Sequence, residues 1–195
     1  MLDTIQILDE WIILALNGSN SSFWDPVMWW ISGKYSWWPF YLALMVFIFW
    51  KKRWKEGGMI LMLTVLLLVA SDQTSVHLFK EVFQRPRPSH NPSIENLLHY
   101  VNNYKGGAYG FISSHAVNAF AVAGFLSLVF RLKWLTFVLM FWAALVSYSR
   151  IYLGVHYLTD IVAGALWGLI LAYGMVKLFI FLRNWLQFQS SSLRS

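Results

Sequence analysis

Apolar residues run in long stretches along this chain, and polar residues gather where the stretches end. Residues 36–50, 58–79, 114–130, 134–152 and 158–181 each read as a continuous hydrophobic helix. A bilayer core needs about 20 such residues. The 36–50 stretch is therefore short, and implies local thinning or help from residues 28–33. Residues 4–16 are amphipathic, with Asp9 and Glu10 in the middle, and either lie in the interface or make a first, imperfect span. Residues 22–33 are apolar but brief, and Pro26 interrupts them. The pattern predicts an all-α integral membrane helical bundle of five to six transmembrane helices in one domain, 1–195. Within it, 1–33 is the N-terminal region, 36–182 the transmembrane bundle, 85–112 an extracytoplasmic loop and 189–195 a disordered tail.

Composition agrees with a lipid solvent. The chain is 58% hydrophobic and 12% charged, against about 25% charged in soluble domains. The net charge of +6 does not indicate nucleic acid, because the basic residues form no continuous patch. Cysteine is absent, which excludes a disulfide framework and a thiolate metal site. No cleavable signal is visible, since Asp3, Asp9 and Glu10 stand where a basic segment would be. Trp29, Trp30, Trp37, Trp38, Trp50, Trp54, Trp134 and Trp185 sit near stretch ends, as interfacial belts require. Lys51, Lys52, Arg53 and Lys55, then Arg131 and Lys133, then Lys177 and Arg183 fall on one side when the spans alternate. That side is cytoplasmic by the positive-inside rule. Loops 85–112 and 150–157 then share the opposite face.

Three polar motifs converge on that face: Lys80-x6-Arg87-Pro88, Ser113-Ser114-His115, and Ser149-Arg150-x5-His156-x3-Asp160. Ionisable groups at such depth are costly and usually functional. His156 and Asp160, four apart, share one helix face. The carboxylate can fix the imidazole tautomer and leave the other nitrogen free to attack. Ser113, Ser114 and His115 open a helix. Serine there is a common cap, and the same helix start offers N–H groups to an anion. His115 suits a general acid. Lys80, Arg87 and Arg150 supply the positive charge that phosphoryl transfer demands. Arg85 competes with Arg87 as a ligand. Asp72, Ser75 and His77 read as interhelical hydrogen-bonding groups, and His90 and His99 have no evident partner. Metal binding has little support: there is no Cys, no HExxH and no carboxylate cluster.

Together these motifs resemble the three signatures of the type 2 phosphatidic acid phosphatase family, which shares its core with vanadium haloperoxidases. The likeness runs from about Asp72 to Asp160 and, through the helix pattern, over most of the chain. It implies that His156 is a nucleophile forming a phosphohistidine, Asp160 its orienting partner and His115 the acid. Lys80, Arg87, Arg150 and Ser113, with Ser114 beside it, would bind phosphate, and no metal or other cofactor would be needed. Ile112 and Ser114 depart from the Pro and Gly of the family's Pro-Ser-Gly-His motif, which alters the shape of that loop. The likeness to short bacterial members implies an enzyme of the cytoplasmic membrane with its site facing outward. Its partners would be a lipid phosphate substrate and membrane lipids, with neither nucleic acid nor an obligate protein partner. Undecaprenyl diphosphate is the first expected substrate. Lipid A or phosphatidylglycerophosphate is the alternative, and a non-catalytic lipid-phosphate binding protein is the alternative of another class.

Overall fold

The computed structural model describes residues 2–192, with side chains from Thr4 to Leu186. Helices account for nearly all the regular structure among the described residues. They are α1 (Leu2–Gly18), α2 (Trp24–Ser32), α3 (Trp38–Lys51), α4 (Trp54–Thr74), the one-turn α5 (Glu81–Phe83), α6 (Ser114–Phe130), α7 (Lys133–Tyr152) and α8 (Leu158–Ser192). A π-helical segment, Ser75–Lys80, joins α4 to α5. Three helical stretches are long and apolar enough to cross a membrane: Trp54–Phe83, Lys133–Tyr152 and Leu158–Leu186. Trp38–Lys51 and Ser114–Phe130 are shorter apolar helices.

Helix α6 is the centre, packed against α8, α7 and α4. Its small residues explain this position. Ala116, Ala119, Ala121, Ala123 and Gly124 are buried along it, and α8 answers with glycines. A Cβ on Gly168 would overlap the carbonyl oxygen of Val117 and stand 3.0 Å from Ala121 N; one on Gly164 would stand 2.9 Å from Ser113 O. Such backbone approach is how helices associate where lipid removes the hydrophobic drive. Gly164 also sets the start of α8, with Asp160, directly against Ser113.

Both basic turns lie at one end of the bundle. Phe47 of α3 meets Phe130 at 5.2 Å and Trp134 at 5.6 Å, and Lys52 pairs with Glu56 at 2.8 Å. The three motifs occupy the other end. Helices α1 and α2 lie across that end. Asp9 receives the Thr159 N–H, while Asn17, two turns on, donates to the carbonyls of His99 and Tyr152. Contacts from the middle and from the C-terminal end of α1 thus go to the same end of the bundle, which favours the interfacial of the two expectations. Asp9, Ile13 and Asn17 form its buried stripe, at helical spacing.

Four expectations need correction. Pro26 does not interrupt α2; it sits in the first turn, where the missing N–H has no intrahelical acceptor. Residues 28–33 do not lengthen the 36–50 span, because extended backbone at Gly33 separates α2 from α3. Trp37 is not a belt residue: its Nε1 donates to Ile31 O at 2.8 Å and its ring packs on Trp142. In the tail, α8 continues through Gln189 to Ser192; residues 193–195 lie outside the described residues.

Candidate active site

Loop 84–112 brings the first motif to the other two. An isolated bridge pairs Pro86 with Tyr109, and Arg87 N donates to Ala108 O at 3.0 Å. The Arg87 side chain is thereby turned inward. Its Nε donates to Tyr109 O at 3.1 Å and its Nη1 to Val155 O at 3.2 Å. Nη1 also stands 3.0 Å from His156 Nε2. Gly110 makes room, since a Cβ there would lie 3.1 Å from both Arg87 Cγ and Asp160 Oδ2.

His156 is 1% exposed. Its Nδ1 faces Asp160 Oδ2 at 3.4 Å. Arg87 can only donate, so the network assigns the lone pair to Nε2 and the hydrogen to Nδ1. Burial first, then the charges of Arg87, Arg150 and Lys80, hold this imidazole well below the usual histidine range. It is therefore neutral at pH 7, with the lone pair of Nε2 aimed into the cationic cluster.

Asp160 is held from three directions. Its Oδ2 also accepts the Tyr157 N–H at 3.0 Å, and its Oδ1 accepts from Arg85 Nη1 at 3.0 Å. Arg85 is thus no competitor for Arg87. It bridges Asp160 to the buried Asp9 at 2.8 Å, reaches Thr159 Oγ1 at 2.7 Å and lies over the Tyr157 ring. Thr159 in turn donates its hydroxyl to Asp9. Asp9 and Thr159 were missed by sequence reasoning. The available signal was an acid on the buried stripe of an amphipathic helix.

The second motif closes the ring. Lys80 Nζ donates to Ser114 Oγ at 2.5 Å, and that hydroxyl also bonds Ser75 Oγ at 2.7 Å. Lys80 ends the π-helical segment, whose wider turn re-aims side chains and is frequent at functional sites. Ser113 N donates to Asp160 O at 3.1 Å. Its hydroxyl does not cap α6 and is buried without a partner, as a group awaiting a phosphate oxygen would be. Arg150 is held by Ser32 Oγ and by Tyr104 Oη at 3.2 Å, while its Nε has no partner. Ser32 and Tyr104 carry no motif, and only the fold brings them here.

Lys80, Arg87, Ser114, His115, Arg150 and His156 all line one cavity of about 770 Å³. Ser113 and Asp160 stand behind its wall. The histidines expected to be solitary are not: His99 Nε2 meets Asp25 Oδ2 at 2.8 Å and His90 Nδ1 meets Ser89 Oγ at 3.2 Å. Of the three interhelical candidates, Ser75 makes such a bond, whereas His77 pairs with Glu81 on its own helix. Three guanidinium or ammonium groups and two imidazoles around one space, with an unpartnered hydroxyl behind its wall, can hold a tetrahedral anion and attack it.

The PAP2 superfamily model matches residues 58–184, which hold all three motifs. The chain belongs to this superfamily. It is a PAP2 phosphatase of the membrane lipid phosphatase kind, an integral membrane hydrolase. It is 40% identical over 176 residues to the Lipid A 4'-phosphatase of Porphyromonas gingivalis, covering 90% of this chain and 75% of that one. The Bacteroides thetaiotaomicron Lipid A 4'-phosphatase is 36% identical, with 86% and 75% covered. A Sulfolobus acidocaldarius undecaprenyl-diphosphatase is 30% identical, with 69% and 59% covered. Among solved structures, the PAP2-type phosphatidylglycerolphosphate phosphatase of Bacillus subtilis has a TM-score of 0.63 at 28% identity, covering 88% of this chain and 84% of that one.

Proposed function

We propose that this protein removes a phosphate from a lipid A-type saccharolipid at the extracytoplasmic face of the bacterial cytoplasmic membrane. The observation that carries the substrate class is the 40% identity to a lipid A 4'-phosphatase over nine-tenths of the chain. That replaces undecaprenyl diphosphate as first choice, for the corresponding relative matches at 30% over 69% of the chain. The placement of the site is supported by the basic turns at the opposite end of the bundle.

The chemistry runs in two steps. Substrate phosphate oxygens take the donors of Lys80, Arg87, Arg150 and Ser113, and Arg87 releases His156 Nε2. That nitrogen attacks phosphorus in line, the P–O bond to the lipid breaks, and His115 gives its proton to the departing alkoxide. Water then attacks the phosphohistidine. His115 takes the water's proton, the N–P bond breaks and inorganic phosphate leaves. Asp160 holds the Nδ1 hydrogen throughout and so steadies the charge that grows on the ring. These four donors, gathered around the phosphoryl oxygens, supply the electrostatic stabilisation, with no metal in the scheme.

The test is a competition in detergent with EDTA, using lipid A, undecaprenyl diphosphate and phosphatidylglycerophosphate. Lipid A should show the highest kcat/KM. A tenfold preference for either of the others would refute the substrate class, and phosphate release only after adding a divalent metal would refute the metal-free scheme.

A further inference from the structure

The catalytic cavity does not stop at the phosphate groups. It continues toward the membrane interior between α3, α4 and α6, where Leu61, Val65, Leu68, Val122 and Leu126 line it. Between the cationic end and this apolar end stand two polar side chains that the catalytic scheme does not use. Asp72 lies on α4, eight residues before Lys80. Asn118 lies on α6, three residues after His115 and on the same face. Both line the cavity. The amide oxygen of Asn118 is buried with no hydrogen-bond partner. Asp72 is exposed, and its carboxylate has neither a hydrogen bond nor an ion pair to any described residue, since Lys80 spends its short contact on Ser114. Thr64, two turns deeper on α4, is already satisfied by Ile60 O at 2.8 Å.

A buried amide oxygen is costly unless something pairs with it, and an unpaired carboxylate within a membrane-spanning stretch is usually functional. A carboxylate accepts hydrogen bonds, and the buried amide oxygen accepts them as well. The pair therefore calls for a ligand that donates N–H or O–H just beyond its phosphate. An N-acylated amino-sugar phosphate does so, through its amide N–H and ring hydroxyls. A polyprenyl chain carries no donor there, and the diacylglycerol of phosphatidic acid carries only acceptors. We infer that Asp72 and Asn118 form a specificity step that reads an N–H or O–H donor next to the scissile phosphate, and so selects acylated amino sugars over polyprenyl lipids and phosphatidic acid. This rests on the lipid A reading above and names the contact that would enforce it. Were Asp72 only a counter-charge for Lys80, its loss would depress every substrate alike.

The experiment compares kcat/KM in detergent for an N-acylated, O-acylated glucosamine 4-phosphate, its analogue with the amide replaced by an ester, and dioleoyl phosphatidic acid. The wild-type enzyme should favour the amide over the ester at least tenfold, because the ester leaves an acceptor unpaired. In Asp72→Leu and Asn118→Leu the ratio of amino-sugar to phosphatidic acid turnover should fall at least tenfold. Equal wild-type rates on amide and ester, or ratios within threefold of wild type in both variants, overturn the inference alone. No wild-type turnover of the amino-sugar phosphate overturns it together with the proposed substrate class. The wild-type comparison of amide with ester needs no variant to fold.

Discussion

Arg85 is the residue whose removal tests the architecture most directly. Its guanidinium is the cation shared by Asp9, 2% exposed, and Asp160, fully buried, at 2.8 and 3.0 Å. Arg85→Ala leaves two buried carboxylates without it and frees Thr159 Oγ1. Breaking a buried ion pair by removing one partner costs about 3–5 kcal/mol. Arg85 is itself 25% exposed, so water recovers part of this, and the low end, about 3 kcal/mol, applies. For a chain of this size that lowers the thermal midpoint by about 6–12 °C. Because Asp160 loses one of its three restraints, the His156 ring is also less well held, and kcat/KM should fall at least tenfold. Thermal unfolding in detergent and phosphate release would be followed in Arg85→Ala, Asp9→Asn and the double variant. Asp9→Asn removes the orphaned charge, so the double variant should be more stable than Arg85→Ala alone. A midpoint within 2 °C of wild type for Arg85→Ala, or strictly additive losses in the double variant, would refute the clamp.

Three further outcomes are expected. Ser113→Ala should lower kcat/KM about tenfold or more at a nearly unchanged melting midpoint, since the hydroxyl has no partner in the resting site; a large loss of stability would contradict this. Gly168→Val should destabilise by about 1–3 kcal/mol and reduce activity, because the added carbons meet α6 backbone; a fully stable variant would deny the close approach. The third concerns pH. The native His156 binds its proton only well below the usual range, whereas an unfolded histidine titrates near about 6.5. Its contribution is therefore fully present above pH ~6.5. As pH falls below that value the unfolded state takes the proton first, and stability drops by up to about 1.4 kcal/mol per pH unit. His156→Gln should flatten that acid slope of the melting midpoint, and identical slopes in the two proteins would contradict a buried neutral imidazole.

Much of this protein is legible in one dimension. Hydrophobic period and length locate the spanning helices, because a bilayer admits few backbone arrangements. The side chains proposed for the chemistry announce themselves by cost. Lys80, Arg87, His115, Arg150, His156 and Asp160 are ionisable groups at apolar stretch ends, and six of them in three spaced motifs exceed what capping or snorkelling requires. What stayed hidden depends on partners distant in sequence. The Arg85–Asp9 pair joins residues 76 apart, and the Arg150–Ser32 bond joins residues 118 apart. Neither Asp9 nor Ser32 differs, as a residue type in its local window, from an ordinary interfacial or capping residue. The roles of Arg85 and Arg87 could not be assigned from a stiff Pro-spaced loop; the Pro86–Tyr109 bridge turns one inward to His156 and leaves the other on Asp160. Trp37 resembles its belt neighbours in sequence, and only its packing on Trp142 sets it apart. The sequence alone determined which groups are expensive enough to need a purpose and which stretches need lipid, since both are local properties of solvation. Only the tertiary structure decided which cation meets which carboxylate, and that two unpaired acceptors face the same cavity, since those depend on which helices pack together: α1 on α8 beside Arg85, and α4 on α6 beside the cavity.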